Sequence, residues 1–433
     1  MMRKRNHIIA GFLLGLVVWC VGQVERPNIV LILADDLGYG DLSVQGCTEF
    51  STPHIDSIAE QGMRFTDAYV TGPVCAPSRA GLLSGRWQDR FGFHGNPAPK
   101  ADWGLPVEET TLADVLKTAG YRTAIFGKWH LGETKGYRPL ERGFDEFYGF
   151  LSGKHSYWNA NDDFWGPIVE GNAKPAELNQ YLTFELADRA CDFITVEKNN
   201  PFFLYLSFNA PHAPMEAPDE YIGKAAHIER LDRKLCAAMI MALDDAVGQV
   251  LECIQHAGIE KDTLVVFMSD NGAPTIPGSD RNGGSNGALR GSKAQLWDGG
   301  IRVPFMIRWS GRVSAGTVNC TPIISLDLFP TFGNLAGTDI PPNLDGTDLT
   351  GLITGAGNTL PKRDLFWKFY HTQSAVRSGE LKWTKVDQAS GFFNVATDLS
   401  ESQDLSVQQP EVMKQLQFRW QKWNEKNESP IHP

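Results

Sequence analysis

Four short polar clusters in this chain carry residues suited to holding a cation and moving protons. They are Asp35-Asp36, Gly127-Lys128-Trp129-His130, Asn209-Ala210-Pro211-His212 and Ser269-Asp270-Asn271-Gly272. Asp35, Asp36, Asp270 and Asn271 are all oxygen donors and three of them carry charge. That donor set suits a hard divalent cation such as Ca²⁺, in a loose site completed by an oxygen of the substrate. No Cys or His belongs to those two motifs, which argues against zinc. Asp pairs after strands also serve as caps and turn formers. A fifth motif, Cys75-Ala76-Pro77-Ser78-Arg79, sets a thiol two residues before a proline that favours the first turn of a helix. Position 75 is thereby expected at a helix N-terminus, where backbone amides attract an anion.

The elements that would hold these clusters are legible from hydrophobic pattern. Asn28–Ala34, Thr123–Phe126, Phe202–Phe208, Thr263–Met268 and Pro304–Trp309 are continuous apolar runs. Such runs suit parallel strands covered on both faces. Helical patterns lie between them, from about Thr111 to Ala119 before Gly120 and from about Glu229 to Ala257 before Gly258. The reading is an α/β fold: a large doubly wound, mixed but mostly parallel sheet with helices on both faces. Parallel strands would deliver all four clusters to one rim, where open α/β sheets bind ligands. Residues 151–180 and 273–300 are long irregular stretches of the kind that carry function. Thr350–Thr359 reads as a linker. Beyond it, Leu365–Tyr370, Lys382–Val386 and Phe392–Val395 suggest a small antiparallel sheet, packed with a final helix over about Glu411–Glu425. The expected partition is a signal peptide at 1–22, a catalytic α/β domain at 23–355 and a small C-terminal α+β subdomain at 356–433.

Composition narrows the function. In 433 residues, 42% hydrophobic and 21% charged content describe a chain able to bury a large core. A formal net charge of -11 argues against a nucleic-acid partner, which needs a basic surface. Arg3, Lys4 and Arg5 precede the apolar run Ile8–Val21 and the small residue Gly22, the pattern of a secretory signal cleaved near Gly22. An uncleaved anchor is the alternative reading of that run. Bulky Trp19 beside Cys20 argues against a lipoprotein site. No other stretch looks membrane-spanning, so no stable membrane partner is expected, and the chain is expected to be exported to a periplasm or secreted. Of the seven cysteines, Cys47, Cys191, Cys236, Cys253 and Cys320 remain once Cys20 and Cys75 are set aside. Five is odd, so at least one stays unpaired. Cys236 and Cys253 share an expected helix and lie roughly 25 Å apart, too far to bridge. Buried unpaired thiols are the expectation for most of the five.

The motifs together resemble a known family. Cys75-Ala76-Pro77-Ser78-Arg79 with Leu83-Ser84-Gly85 is similar to the first signature of the type I sulfatases, in the alkaline phosphatase superfamily; Ser84 stands where that family usually has Thr. Gly120-Tyr121-Arg122-Thr123-Ala124 through Gly132 resembles the second signature, and the two Asp motifs resemble the family's metal motifs. The similarity runs from about Pro27 to the C-terminal helix. It implies one Ca²⁺ held by Asp35, Asp36, Asp270, Asn271 and the group at position 75. It also implies that a formylglycine-generating maturation enzyme oxidises Cys75 to an aldehyde, whose hydrate has one hydroxyl to attack sulfur and a second to expel sulfate. By the same resemblance Arg79 steadies that hydrate and Lys128 bridges it and the sulfate. His130 takes the proton during sulfate release, and His212, helped by Lys293, protonates the departing alcohol. Ser152 or His155 is expected near the sulfate. The implied activity is hydrolysis of a sulfate ester, on a saccharide given export and an acidic chain. Alternatives are a phosphate or phosphonate ester hydrolase of the same superfamily and a secreted carbohydrate-binding protein without catalysis. Twelve tryptophans, Trp158 and Trp165 among them, offer either sugar platforms or core filling.

Overall fold

In Asn28–Ala34 successive side chains serve two different cores, because residues alternate across a strand. Ile29, Leu31 and Leu33 join one core; Val30, Ile32 and Ala34 join the other. The computed structural model describes residues 26–172, 174–275, 283–357 and 359–432. The expected signal segment, with Cys20, lies outside them.

This strand is central to a sheet of ten. From one edge the order is Thr317–Asn319, Met63–Phe65, Phe305–Arg308, Thr263–Ser269, Asn28–Ala34, Phe202–Ser207, Arg122–Lys128, Glu146–Phe150, Val169–Glu170 and Lys174–Pro175. The five from Thr263–Ser269 to Glu146–Phe150 are parallel. One face packs against helices Pro53–Glu60, Leu182–Glu197 and Leu231–His256, the other against Cys75–Ser84, Leu112–Thr118 and Leu328–Ala336. The doubly wound, mostly parallel expectation therefore holds. Thr111 caps its helix through a reciprocal box with Asp114, which explains the sharp start there.

Three expectations change. The run Pro304–Trp309 forms a strand, Phe305–Arg308, but it lies antiparallel to Thr263–Ser269. The chain leaves Ser269 on the ligand rim and is still on that rim at Gly300, whose carbonyl accepts from Gly272 N–H. A strand entering from the rim it left must run backwards. Glu146–Phe150 is a parallel strand that its broken apolar pattern, with Gly149, did not announce. The expected linker at Thr350–Thr359 instead contains a short helix, Thr350–Thr354, anchored by buried Ile353.

The C-terminal antiparallel sheet has four strands, Asp364–Phe369, Gln373–Ser378, Leu381–Val386 and Ala389–Asn394. Helix Pro410–Asn424 covers one face through Leu416 against Val376, Trp383 and Phe392. The other face, through Trp367, Ala375 and Phe393, enters the same core as the large sheet. Cys191 and Cys253 form a disulfide between helices Leu182–Glu197 and Leu231–His256, the one pair among five cysteines whose pairing the sequence leaves open. Cys47 and Cys236 are buried and free, and Cys320 is free but exposed. Among the described residues no helix is long and apolar enough to cross a membrane.

Candidate active site

The four polar clusters do meet on one rim. Asp270 N–H donates to Ala34 O at 3.1 Å and Asp35 N–H to Ala210 O at 3.0 Å, so the ends of three neighbouring strands are stitched together. Asp36 N–H reaches Asp270 Oδ1 at 3.2 Å. Lys128 ends its strand and His130 follows two residues later. Gly127 next to it has φ +110, and a Cβ there would lie 1.9 Å from Ser207 O, so only glycine lets this strand end approach its neighbour. Asp36 (φ 65) and His130 (φ 60) adopt left-handed backbone, a strained conformation that clusters at functional sites.

Cys75 opens helix Cys75–Ser84, with Val74 as its N-cap and Pro77 in its first turn. Its sulfur donates to Asp35 Oδ1 at 3.4 Å and accepts from Lys293 Nζ at 3.3 Å. One turn on, Arg79 is fully buried and donates through Nε to Asp270 Oδ2 at 2.9 Å. Its Nη1 reaches Ser207 Oγ at 2.6 Å. Lys128 Nζ donates to Asp35 Oδ2 at 2.6 Å, both groups fully buried. Lys293 Nζ also reaches Asp36 Oδ1 at 2.6 Å, and Asn271 Nδ2 reaches the same oxygen at 2.7 Å.

The charges balance. Arg79, Lys128 and Lys293 face Asp35, Asp36 and Asp270 at these contacts. Burial pushes Asp36 up, but Lys293 and His212 pull it down to about 2. Burial and the neighbouring Asp35 raise the Asp270 carboxyl in spite of Arg79. Burial raises the Cys75 thiol far above its usual range, with Asp270 and Asp35 adding to it. An unmodified thiol here is therefore held protonated and is a poor nucleophile. His130 is driven well below its usual value by burial and then by Lys128, Arg79 and Lys293. Burial lowers His212 to about 3 against the opposing pull of Asp36.

A cation fits this cluster. Asp35, Asp36, Cys75 and His212 offer ligand atoms within 4.8 Å of one another. Asn271 Oδ1 is buried with no hydrogen-bond partner, an acceptor left over for an ion. A divalent cation would turn three-against-three charges into a net positive site suited to an anionic ester.

Most of the site residues expected from sequence are brought together, including His212, whose Nε2 lies 3.7 Å from Asp36 Oδ2. Two are held elsewhere. Ser152 Oγ donates to Trp165 O, and the His155 ring lies between Ser156 O at 2.9 Å and Gly166 O at 3.0 Å. Three contributors escaped sequence reasoning. Ser207 orients Arg79 and donates to Lys128 O at 2.7 Å; the polar end of an apolar run was its one available signal. Asn96 Oδ1 accepts from Ala76 N–H at 3.0 Å beside the nucleophile position. Gly153 lies flat against the His130 ring, where a Cβ would sit 2.7 Å from Nε2.

This rim, with a buried cysteine at a helix start among three cations and three carboxylates, is built for attack on an anionic ester. Residues 27–338 match the model of the Sulfatase family, and residues 292–416 match that of the N-sulphoglucosamine sulphohydrolase C-terminal region. The chain belongs to the sulfatase family, the enzymes that hydrolyse sulfuric esters. It is 35% identical to mouse N-acetylgalactosamine-6-sulfatase over 424 residues, covering 91% of this chain and 78% of that protein. It is likewise 35% identical to human arylsulfatase A over 423 residues, covering 90% and 81%. The crystal structure of Ps i-CgsB in complex with k-i-k-neocarrahexaose superposes with a TM-score of 0.89 at 34% identity, covering 94% of each chain.

Proposed function

We propose that this sulfatase removes sulfate from a saccharide outside the cytoplasm, using a formylglycine hydrate made from Cys75 by a maturation enzyme and one Ca²⁺. The observation that carries this reading is the environment of Cys75. Its sulfur is buried between Lys293 and Asp35 at a helix start, with the thiol held protonated, so the position is poor for thiol chemistry and well furnished for an oxidised side chain. The saccharide class is supported by the names of the mouse relative and of the oligosaccharide bound to Ps i-CgsB. Half-exposed Trp158 is free to meet a sugar face.

Asp35, Asp36, Asp270, Asn271 and the group at position 75 would hold the cation, which when bound polarises a sulfate oxygen. Arg79 and Lys128 fix the oxygen atoms at position 75 and on the sulfate through charge-assisted hydrogen bonds. Burial beside three cations keeps His130 neutral, so its ring can take a proton during sulfate release. His212 donates Nδ1–H to Ala213 O at 2.7 Å, which turns Nε2 to the site. Once Nε2 is protonated too, the form that Asp36 at 3.7 Å favours, it hands that proton to the departing alcohol oxygen, with Lys293 beside it. We assign residues 23–355 to the catalytic unit and 356–433 to the supporting subdomain, with 1–22 as the export signal.

Peptide mass spectrometry tests the reading: position 75 is expected to have lost sulfur and gained a carbonyl. Cys75→Ser, verified as serine, is expected to release no more product than enzyme, because one hydroxyl cannot both attack and expel sulfate. Sustained turnover by the serine variant would overturn the hydrated-aldehyde mechanism.

A further inference from the structure

Lys293 must hold its ammonium against both Asp36 and position 75, yet it sits on an irregular segment with little regular structure of its own. The next residue, Ala294, has φ 67, a left-handed conformation that alanine resists because of its Cβ. Both peptide groups of Ala294 are pinned. Its N–H donates to Pro73 O at 2.8 Å, two residues before Cys75. Its carbonyl accepts from Gln373 Nε2 at 2.9 Å. The same Gln373 side chain accepts Leu296 N–H on Oε1 at 3.0 Å, so its amide grips the segment on both sides of Gln295. Gln373 belongs to the C-terminal antiparallel sheet and is only 6% exposed.

The grip is reinforced from neighbouring parts of the C-terminal region. Lys382, fully buried, donates to Leu296 O at 2.9 Å, Asp298 Oδ1 at 2.7 Å and Glu401 Oε1 at 3.0 Å. Glu401 Oε2 in turn accepts Asp298 N–H at 2.7 Å. Residues 294–298 are thus held by three buried polar side chains that come from more than 70 positions further along the chain. Buried polar groups so fully paired define one backbone position rather than a range.

We propose that Gln373 is a positioning residue for turnover: by clamping Ala294 and Leu296 it sets Lys293 against Asp36 and the nucleophile position. This rests on the role given above to Lys293, and the test separates the two. Gln373→Leu keeps the volume and removes both hydrogen bonds; Gln373→Met, unbranched and of similar length, serves should the leucine variant not fold. Reaction of Lys293 with an amine-acylating ester, followed by peptide mass spectrometry, reads the clamp without catalysis. The variant is expected to label about five-fold faster as the segment opens locally. Equal labelling would overturn the clamp whatever Lys293 does in turnover.

Kinetics then read the consequence in a cycle of Gln373→Leu, Lys293→Met and the double variant. Gln373→Leu is expected to lower kcat about ten-fold with little change in KM, and less than about two-fold when Lys293 is already methionine, as coupled neighbours behave. The loss is expected to be larger for a sulfated saccharide than for nitrophenyl sulfate, whose leaving group needs less help. An equal loss in both backgrounds would show that Gln373 acts elsewhere. A Lys293→Met variant with wild-type kcat on both substrates would overturn both the role of Lys293 and the proposed effect of Gln373 on turnover.

Discussion

Asn271 turns its amide nitrogen onto Asp36 Oδ1 at 2.7 Å and leaves its own Oδ1 buried without a partner. An unpaired acceptor in a buried site beside three carboxylates is where a hard cation belongs. Elemental analysis of the full chain is expected to find about one Ca²⁺ per molecule, the stoichiometry of a single oxygen-rich site. Asp36→Asn, which keeps the shape and removes a charge, is expected to lose the ion and activity by about 10²-fold or more. Zinc in place of calcium, or no divalent ion, would contradict the assignment.

His212 presents Nε2 to the site because its other ring nitrogen is committed to Ala213 O. His212→Ala is therefore expected to slow sugar sulfates by about 10²- to 10⁴-fold and nitrophenyl sulfate much less, since a good leaving group gains little from an acid. Equal losses on both substrates would move the acid role to another group, with Lys293 next in line.

Gly153 packs against the His130 ring so closely that a Cβ would lie 2.8 Å from Cε1 as well as 2.7 Å from Nε2. Gly153→Ala is expected to push the ring aside and lower kcat by about 10²-fold, the scale of a displacement near 1 Å. If the base acts after the ester bond breaks, rapid-mixing kinetics should show the alcohol released in a burst while sulfate release lags. A variant with unchanged kcat would mean that the ring position is not critical.

Away from the reacting centre, Asp89 Oδ1 lies 3.4 Å from His94 Nε2, both groups buried. Burial raises Asp89 to about 7 in spite of Lys368, and burial lowers His94 to about 4, with Lys368, His432 and His371 adding to it. Near pH 5.5 both groups are thus neutral. The folded Asp89 holds its proton to higher pH than the unfolded chain, whose carboxyl titrates near 3.8. Stability from this group is present at low pH and lost as pH rises through about 7. Asp89→Asn is expected to raise the melting temperature relative to wild type by about 3 °C or more at pH 8, and by less at pH 5. A difference independent of pH would mean that Asp89 does not titrate in this window.

Much of the site was legible in the chain itself because its chemistry is locally coded. Cys75, Pro77 and Arg79 are one helical turn, whose start follows from Pro77 whatever surrounds it. Asp35, Asp36, Asp270 and Asn271 directly follow continuous apolar runs, and parallel strands deliver their ends to one rim. What sequence left open depends on contacts between distant positions. Direction was lost at Phe305–Arg308, because periodicity marks a strand and not the rim from which the chain enters it. Pairing was lost at Cys191 and Cys253, brought to a Cα separation of 5.7 Å only by the packing of two helices. Ser207 under Arg79, Gly153 under His130 and Gln373 beside Lys293 look ordinary in their own neighbourhoods. The sequence by itself determined the reactive groups and the strand ends that carry them, because a cap, a turn or an apolar run is a property of adjacent residues. Tertiary structure alone decided which distant side chains hold those groups in place, because a hydrogen bond needs its partners within about 3 Å and no spacing along the chain encodes that meeting.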